Sequence, residues 1–286
     1  MSSKSNKIDM TGDRLLPGFI MFAIPILISA ACQRLFNAAD SVIVGRFAGN
    51  NALAAVGGVG PVVGLFTWGL MGFSSGADVT ISRLFGKKDL EGVRQGIHTA
   101  ISIALLAGFT VSLLSFILTP AILHFMDVPE EIFPLSVLYL RIYSVGLFFS
   151  VVYNFSAACL RSGGDSKRPT RFMIFAGLVN VILNLIFVCI FHLDVAGVAI
   201  ATSASNLTAA TLTVRTLMKE EGPFKLQIKK LCLDQKIAAS IVAIGIPTMM
   251  QNALFSVSNM VIQGSINAFG SLTMAANSAA TTLEDF

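Results

Sequence analysis

"PGFIMFAIPILISAACQRLFNAADSVIVGRFAG", residues 17–49, decides the fold. Its first half is an apolar run without a charge, and the whole stretch, as a helix, is long enough to cross the ~30 Å of a bilayer's hydrocarbon. Arg34 and Asp40 nevertheless lie inside that length. A charge near the middle of a spanning helix costs about 2.5–3.5 kcal/mol on insertion scales, so intramembrane charges are rare and face a bundle interior or a cavity. Asp40 therefore needs a partner or a function.

The rest of the chain has the same character. Hydrophobic residues make up 54% of the 286 positions, charged residues only 13%, and mean hydropathy is +0.76. Soluble domains carry about 25% charged residues. Seven complete spans are predicted, over 16–46, 53–82, 95–120, 132–160, 170–191, 195–218 and 237–267, with an eighth starting near Thr273. Polar segments such as "RLFGKKDLEGVRQG" and "RSGGDSKRPT" separate them. The fold class is an all-α polytopic membrane protein.

Basic residues set the orientation. Lys4, Lys7 and Arg14 precede span one; Arg83, Lys87, Lys88 and Arg94 follow span two; Arg161, Lys167, Arg168 and Arg171 follow span four; Arg215, Lys219, Lys225, Lys229, Lys230 and Lys236 follow span six. Arg46 alone falls on the other side, and Arg34 and Arg141 lie within spans. The positive-inside rule then places the N-terminus in the cytoplasm. The net charge of +4 is a topology signal and leaves no case for nucleic acid.

No enzyme motif stands. Gly72–Gly76 reads G-x-S-x-G, but that motif needs a strand-to-helix elbow and a histidine partner. Here it lies inside a helical span, and His98, His124 and His192 sit at the ends of other spans. With Gly60 and Gly64, the same glycines instead form spacings that let membrane helices approach closely. Cys32, Cys159, Cys189 and Cys232 have neither metal-ligand nor disulfide spacing. No metal site and no cofactor are expected.

Transporters often carry internal repeats, and one is present. "AIPILISAACQRLFNAADSVIVGRF" (23–47) aligns with "GIPTMMQNALFSVSNMVIQGSINAF" (245–269), pairing Ile24, Pro25, Ala31, Asn37 and Phe47 with Ile246, Pro247, Ala253, Asn259 and Phe269. A loop shorter by one residue also sets Ala54–Ala55 on Ala275–Ala276. Six spans (1–218) make one lobe, 219–236 is a cytoplasmic linker, and 237–286 opens a second, pseudo-symmetric lobe. With that register Phe286 falls on Leu65, in the middle of helix two. Two complete lobes would need roughly 440 residues. The expectation is a fragment of a longer reading frame that does not transport alone.

From Leu15 onward the chain resembles the multidrug and toxic compound extrusion (MATE) transporters. The resemblance rests on "ADSVIVGRFAGNNALAAVG", "SSGADVTISRLFGKKD", "LRSGGDSKRPT", "NVILNLIFV" and "AANSAATTLEDF". It implies twelve helices in two six-helix lobes when complete. It also implies a secondary antiporter in the plasma (inner) membrane, exporting small organic cations in exchange for protons or sodium ions. A monomer in the lipid bilayer is expected, powered by the ion gradient. The alternative is a flippase for a lipid-linked oligosaccharide or cell-wall precursor, which would need more arginines within its lobe to hold diphosphate.

Helix geometry places Asp40. At 100° per residue, Gln33, Asn37 and Asp40 fall within about 60° of one another, one polar stripe for the lobe interior. Asp40 lies seven residues before Phe47, Asn184 seven before Phe191, and Thr202 eight after Asp194. At 1.5 Å per residue these three share a layer roughly 10–12 Å below the outer surface, with Asn180 one turn deeper on the Asn184 face. A carboxylate among neutral amides in low dielectric suits reversible protonation.

The resemblance assigns the same residues: the family's first-helix aspartate falls on Asp40, and its fifth-helix N-x-x-x-[D/N] pair on Asn180 and Asn184. The coupling set is thus Asp40, Asn180, Asn184 and Thr202, with a sodium ion at Asp40 as one option. Gln33, Asn37 and Arg141 support it. The competing reading is a structural ion pair between Asp40 and Arg34 or Arg141. In the second copy Asp40 meets Ile262, and the glutamate of the family's sodium-coupled branch is replaced by Phe255–Ser256, so coupling leans on the first lobe.

Overall fold

The computed structural model describes residues 15–284, all of whose regular elements are helical. Lys4, Lys7, Arg14 and the chain end at Phe286 lie outside the described residues. The long helices are α1 (Leu15–Phe47), α3 (Gly60–Gly86), α4 (Leu90–Phe125), α5 (Phe133–Ser162), α6 (Lys167–Asn184), α7 (Asp194–Lys219) and α8 (Gln235–Asn267). The shorter α2 (Asn50–Gly58) precedes α3, and α9 (Ser271–Glu284) follows α8. Among the described residues, seven helical segments are long and apolar enough to cross a membrane.

The second predicted span departs from a continuous helix. It divides into α2 and α3 at Val59 within Gly57-Gly58-Val59-Gly60-Pro61. Pro61 has no N–H to donate to the preceding turn, so it suits the first turn of a new helix, where it stands in α3, rather than the interior of a continuous one. Α second departure ends the fifth span. After Asn184, α6 passes into a π-helical stretch, Leu185–Ile190, a geometry often found at functional sites.

The sequence repeat has a structural echo. Gly49 separates α1 from α2 with φ +86°, and Gly270 separates α8 from α9 with φ +90°. Only glycine adopts that left-handed conformation without strain.

Two apolar clusters form the core. Near the Phe47 and Phe125 ends, Val44, Leu123, Ile132, Leu140, Val188 and Val198 pack together. Toward the basic end, marked by Arg83, Arg161 and Lys219, the core holds Ile81, Ile97, Leu147, Phe155, Leu217 and Ile241. Leucines, isoleucines and phenylalanines on the outer faces are exposed, as a lipid-facing surface requires.

Close approaches place the helices. A Cβ on Gly177 of α6 would strike the Phe36 ring of α1, and one on Gly146 of α5 would lie 3.0 Å from the Ser203 Cα of α7. Thr170 donates to the Pro25 carbonyl at 3.0 Å and Ser205 to the Ala176 carbonyl at 2.7 Å, tying α6 to α1 and α7. Gly72 and Gly76 form the seam between α3 and α8, where a Cβ would meet the Thr248 carbonyl at 2.9 Å and the Gly245 nitrogen at 2.8 Å. Gly60 has open space and plays no such part.

At the far end of α8, three amides link up in sequence. Asn277 donates to Gln263 (3.3 Å), Gln263 to Asn267 (3.0 Å), and Asn267 to the Met126 carbonyl at the end of α4 (2.6 Å).

The linker between α7 and α8 is strapped to α4. His98 donates from Nδ1 to the Arg94 carbonyl (2.7 Å), while its Nε2 accepts from the Gln227 N–H (3.1 Å). Thr99 accepts from the Asp234 N–H, and Ser102 donates to the Cys232 carbonyl, each at 3.1 Å. Asp234 then caps α8 by accepting from the Ile237 N–H at 2.9 Å. Changing His98 to Phe keeps the ring but orphans the Gln227 N–H, a loss of about 1–3 kcal/mol. Tryptic cleavage at Lys229 and Lys230 is expected to accelerate about tenfold or more; an unchanged rate would show that the strap does not depend on His98.

Candidate functional site

Four of the residues singled out from sequence meet beside α1. Asp40 comes from the middle of that helix's second half, Asn180 and Asn184 from the last turns of α6, and Thr202 from the third turn of α7. Asn184 donates from Nδ2 to Asp40 Oδ1 at 2.5 Å. Asn180 approaches the same carboxylate: with its amide nitrogen facing Asp40, it lies 2.9 Å from Oδ1 and 3.3 Å from Oδ2. In that orientation its Oδ1 faces the Thr202 hydroxyl at 3.3 Å, within reach of the proton that Thr202 also directs to the Val198 carbonyl at 3.0 Å.

Local sequence explains the convergence. Asn180 and Asn184 stand one turn apart and so project together. Gly177, one turn earlier, lets the Phe36 ring close against α6, and Phe36 is one turn from Asp40 on α1. Both asparagines are buried, at 5% and 0% exposure. Asn184 is the last residue of α6 before the π-helical stretch.

The cluster contains one carboxylate and no basic partner within ion-pair distance among the described residues. The Asn184 Oδ1 is buried with no hydrogen-bond partner. A carboxylate and an unpaired amide oxygen side by side form an electron-rich spot that accepts a proton or a hard cation with oxygen ligands. No group of three or more His, Cys, Asp or Glu suited to a metal occurs among the described residues.

The other expected residues lie apart. Gln33 is half-buried and Asn37 exposed, and neither enters the cluster's hydrogen bonds. Arg141 is a correction to the ion-pair reading: it is exposed on α5, with its guanidinium 5.2 Å over the Phe116 ring of α4 rather than on Asp40. The helical phase explains this, because Tyr139 takes the buried face and Arg141, two residues on, points elsewhere.

Tyr139 is the residue that sequence reasoning missed. It is buried and stacks on Tyr143 with ring centroids 6.0 Å apart, at the depth of Asp40. Extending the depth argument to span four would have found it, six residues after Phe133. Asp78 and Arg161 pair at 3.2 Å between α3 and α5 at the basic end, well away from this cluster.

Sequence comparison bears on the same region. The chain matches the MatE family over residues 25–186. Probable multidrug resistance protein YpnP of Bacillus subtilis (strain 168) is 29% identical over 265 residues, covering 92% of this chain and 58% of that protein. Probable multidrug resistance protein YoeA of the same organism is 27% identical over 263 residues, covering 90% and 57%. The inward-facing conformation of a multidrug resistance MATE family transporter of the MOP superfamily superposes with a TM-score of 0.80 at 25% identity, over 87% of this chain and 57% of that one. The chain thus spans just under 60% of the length of these relatives. The family match runs from Pro25 to Ile186, more than half of the chain, and it brackets Asp40, Asn180 and Asn184: the chain belongs to the MatE family, whose members are membrane transporters rather than enzymes.

Proposed function

We propose that the protein is part of a secondary active antiporter that exports small organic cations across the plasma membrane in exchange for protons or sodium ions, with its N-terminus in the cytoplasm. The observation that carries this is the Asp40 cluster: one carboxylate, two amides and an unpaired amide oxygen, with no ion-pair partner for the carboxylate among the described residues. Such a group exchanges its proton or cation without first breaking an ion pair. The relatives' names as multidrug resistance proteins support the substrate class. The bias of Lys and Arg to one end supports the orientation. A flippase for diphosphate-linked lipids would want arginines facing an internal cavity, and Arg141 faces outward.

The test is export of a fluorescent organic cation by the antiporter of which this chain is part, from cells lacking their own pumps, with a protonophore or a sodium ionophore added. Efflux that stops with one of them identifies the coupling ion; efflux indifferent to both sinks the antiport reading. Asn184→Leu, which removes one charge-assisted hydrogen bond worth about 1.5–3 kcal/mol, is expected to weaken ion-dependent efflux at least tenfold without abolishing it. Wild-type efflux and ion dependence in that variant would remove Asn184 from the site.

A further inference from the structure

We propose that Arg141 and Phe116 form a binding site for the phosphate of a membrane phospholipid, on the lipid-facing seam between α4 and α5. Arg141 belongs to an exposed stripe of α5 that otherwise holds Leu138 and Val145, and Phe116 on α4 is flanked by exposed Leu113 and Ile117. The guanidinium lies 5.2 Å over the Phe116 ring centroid. No described acid is within ion-pair distance of it.

Depth decides what can complete the arginine's coordination. With 30 residues, α5 is ~45 Å long and overruns the ~30 Å hydrocarbon by about 7 Å at each end. Arg141 is eight residues from Phe133, so its Cα lies ~12 Å from the helix end and ~5 Å inside the hydrocarbon. Phe116, nine residues before Phe125, stands at the same level. An arginine side chain of about 6–7 Å reaches from there to the headgroups. Asp127, Glu130 and Glu131 in the α4–α5 turn lie further out, about 15 Å or more along the helix from Arg141.

The guanidinium faces lipid on one side and an aromatic ring on the other, and the phosphodiester at the headgroup level just beyond it is the nearest anion the bilayer supplies. Its two free oxygens match the guanidinium fork. The ring fixes the plane of the guanidinium by cation–π attraction, leaving the N–H edge free for the phosphate. Anionic phospholipids are favoured over zwitterionic ones, because no headgroup ammonium competes for the phosphate.

The experiment uses the purified chain in detergent, with retained lipid counted by native mass spectrometry during titration with phosphatidylglycerol, phosphatidylcholine or inorganic phosphate. The wild type should retain one tightly bound phosphatidylglycerol, bind phosphatidylcholine more weakly, and lose neither to inorganic phosphate. Arg141→Gln should weaken that phosphatidylglycerol about tenfold with the helical content unchanged. Phe116→Leu, which keeps the charge and removes the ring, should fall in between. Equal retention by wild type and Arg141→Gln would overturn the site. So would displacement by inorganic phosphate at millimolar concentration, or a change in oligomeric state with no change in lipid, which would make the arginine a contact between copies.

Discussion

Asp40→Asn is expected to reduce gradient-driven efflux of organic cations by the antiporter of which this chain is part to the level of cells without it, while insertion and folding stay normal. The two side chains have the same shape, and the new amide can turn its oxygen to the Asn184 Nδ2, so the hydrogen bond at that position survives. What disappears is the one charge that the described residues bring to the cluster, and with it any difference between its loaded and unloaded states. Antiport requires that difference, because an ion shifts an equilibrium only through unequal affinity for its two conformations. Efflux at the wild-type rate in the variant would place coupling elsewhere in the protein. Membrane insertion that fails would point to a structural role instead.

The second large effect is expected at the seam between α3 and α8. Gly76→Val should destabilise the purified chain by at least the 1–3 kcal/mol typical of overpacking, read as a lower thermal midpoint in detergent. A Cβ at this position runs into the Ile241 carbonyl and the Gly245 nitrogen, which are backbone atoms and cannot rotate aside. Gly245 is equally constrained, since its own Cβ would lie 2.6 Å from the Phe73 carbonyl. Gly60→Ala is the matching control: nothing lies within 4 Å of its Cβ, and alanine's better helix propensity predicts no loss. If the two variants melted alike, the seam would not be a tight contact.

Much of this was legible before any coordinates. Long apolar runs report spanning helices directly, because the bilayer leaves the backbone no other way to satisfy its hydrogen bonds. A shared depth for Asp40, Asn184 and Thr202 followed from counting residues to helix ends, which works because rise per residue hardly varies. The break at Val59 was written in Gly60-Pro61, yet the hydropathy of the run hid it. The π-helical stretch after Asn184 has no comparable signal in "LIFVCI"; its register depends on how α6 packs at its end. Arg141 shows the limit of depth alone. It stands at about the right level for Asp40, but level fixes one coordinate, and rotation about the α5 axis turned it to the other side of the bundle.

The strap along α4 makes α8 a lever with a fixed fulcrum. Thr99 holds the Asp234 N–H, so the first turn of α8 cannot slide relative to α4 while that bond lasts. The helix has 33 residues and is therefore about 50 Å long. A swing of about 10° around the pinned end carries its far tip ~9 Å, roughly three hydrogen-bond lengths, which the Asn267 bond to the Met126 carbonyl cannot follow. Any rocking of α8 against α4 is thus amplified from the basic end to the opposite one. Its first casualty is a single amide bond rather than the buried glycine seam nearer the fulcrum.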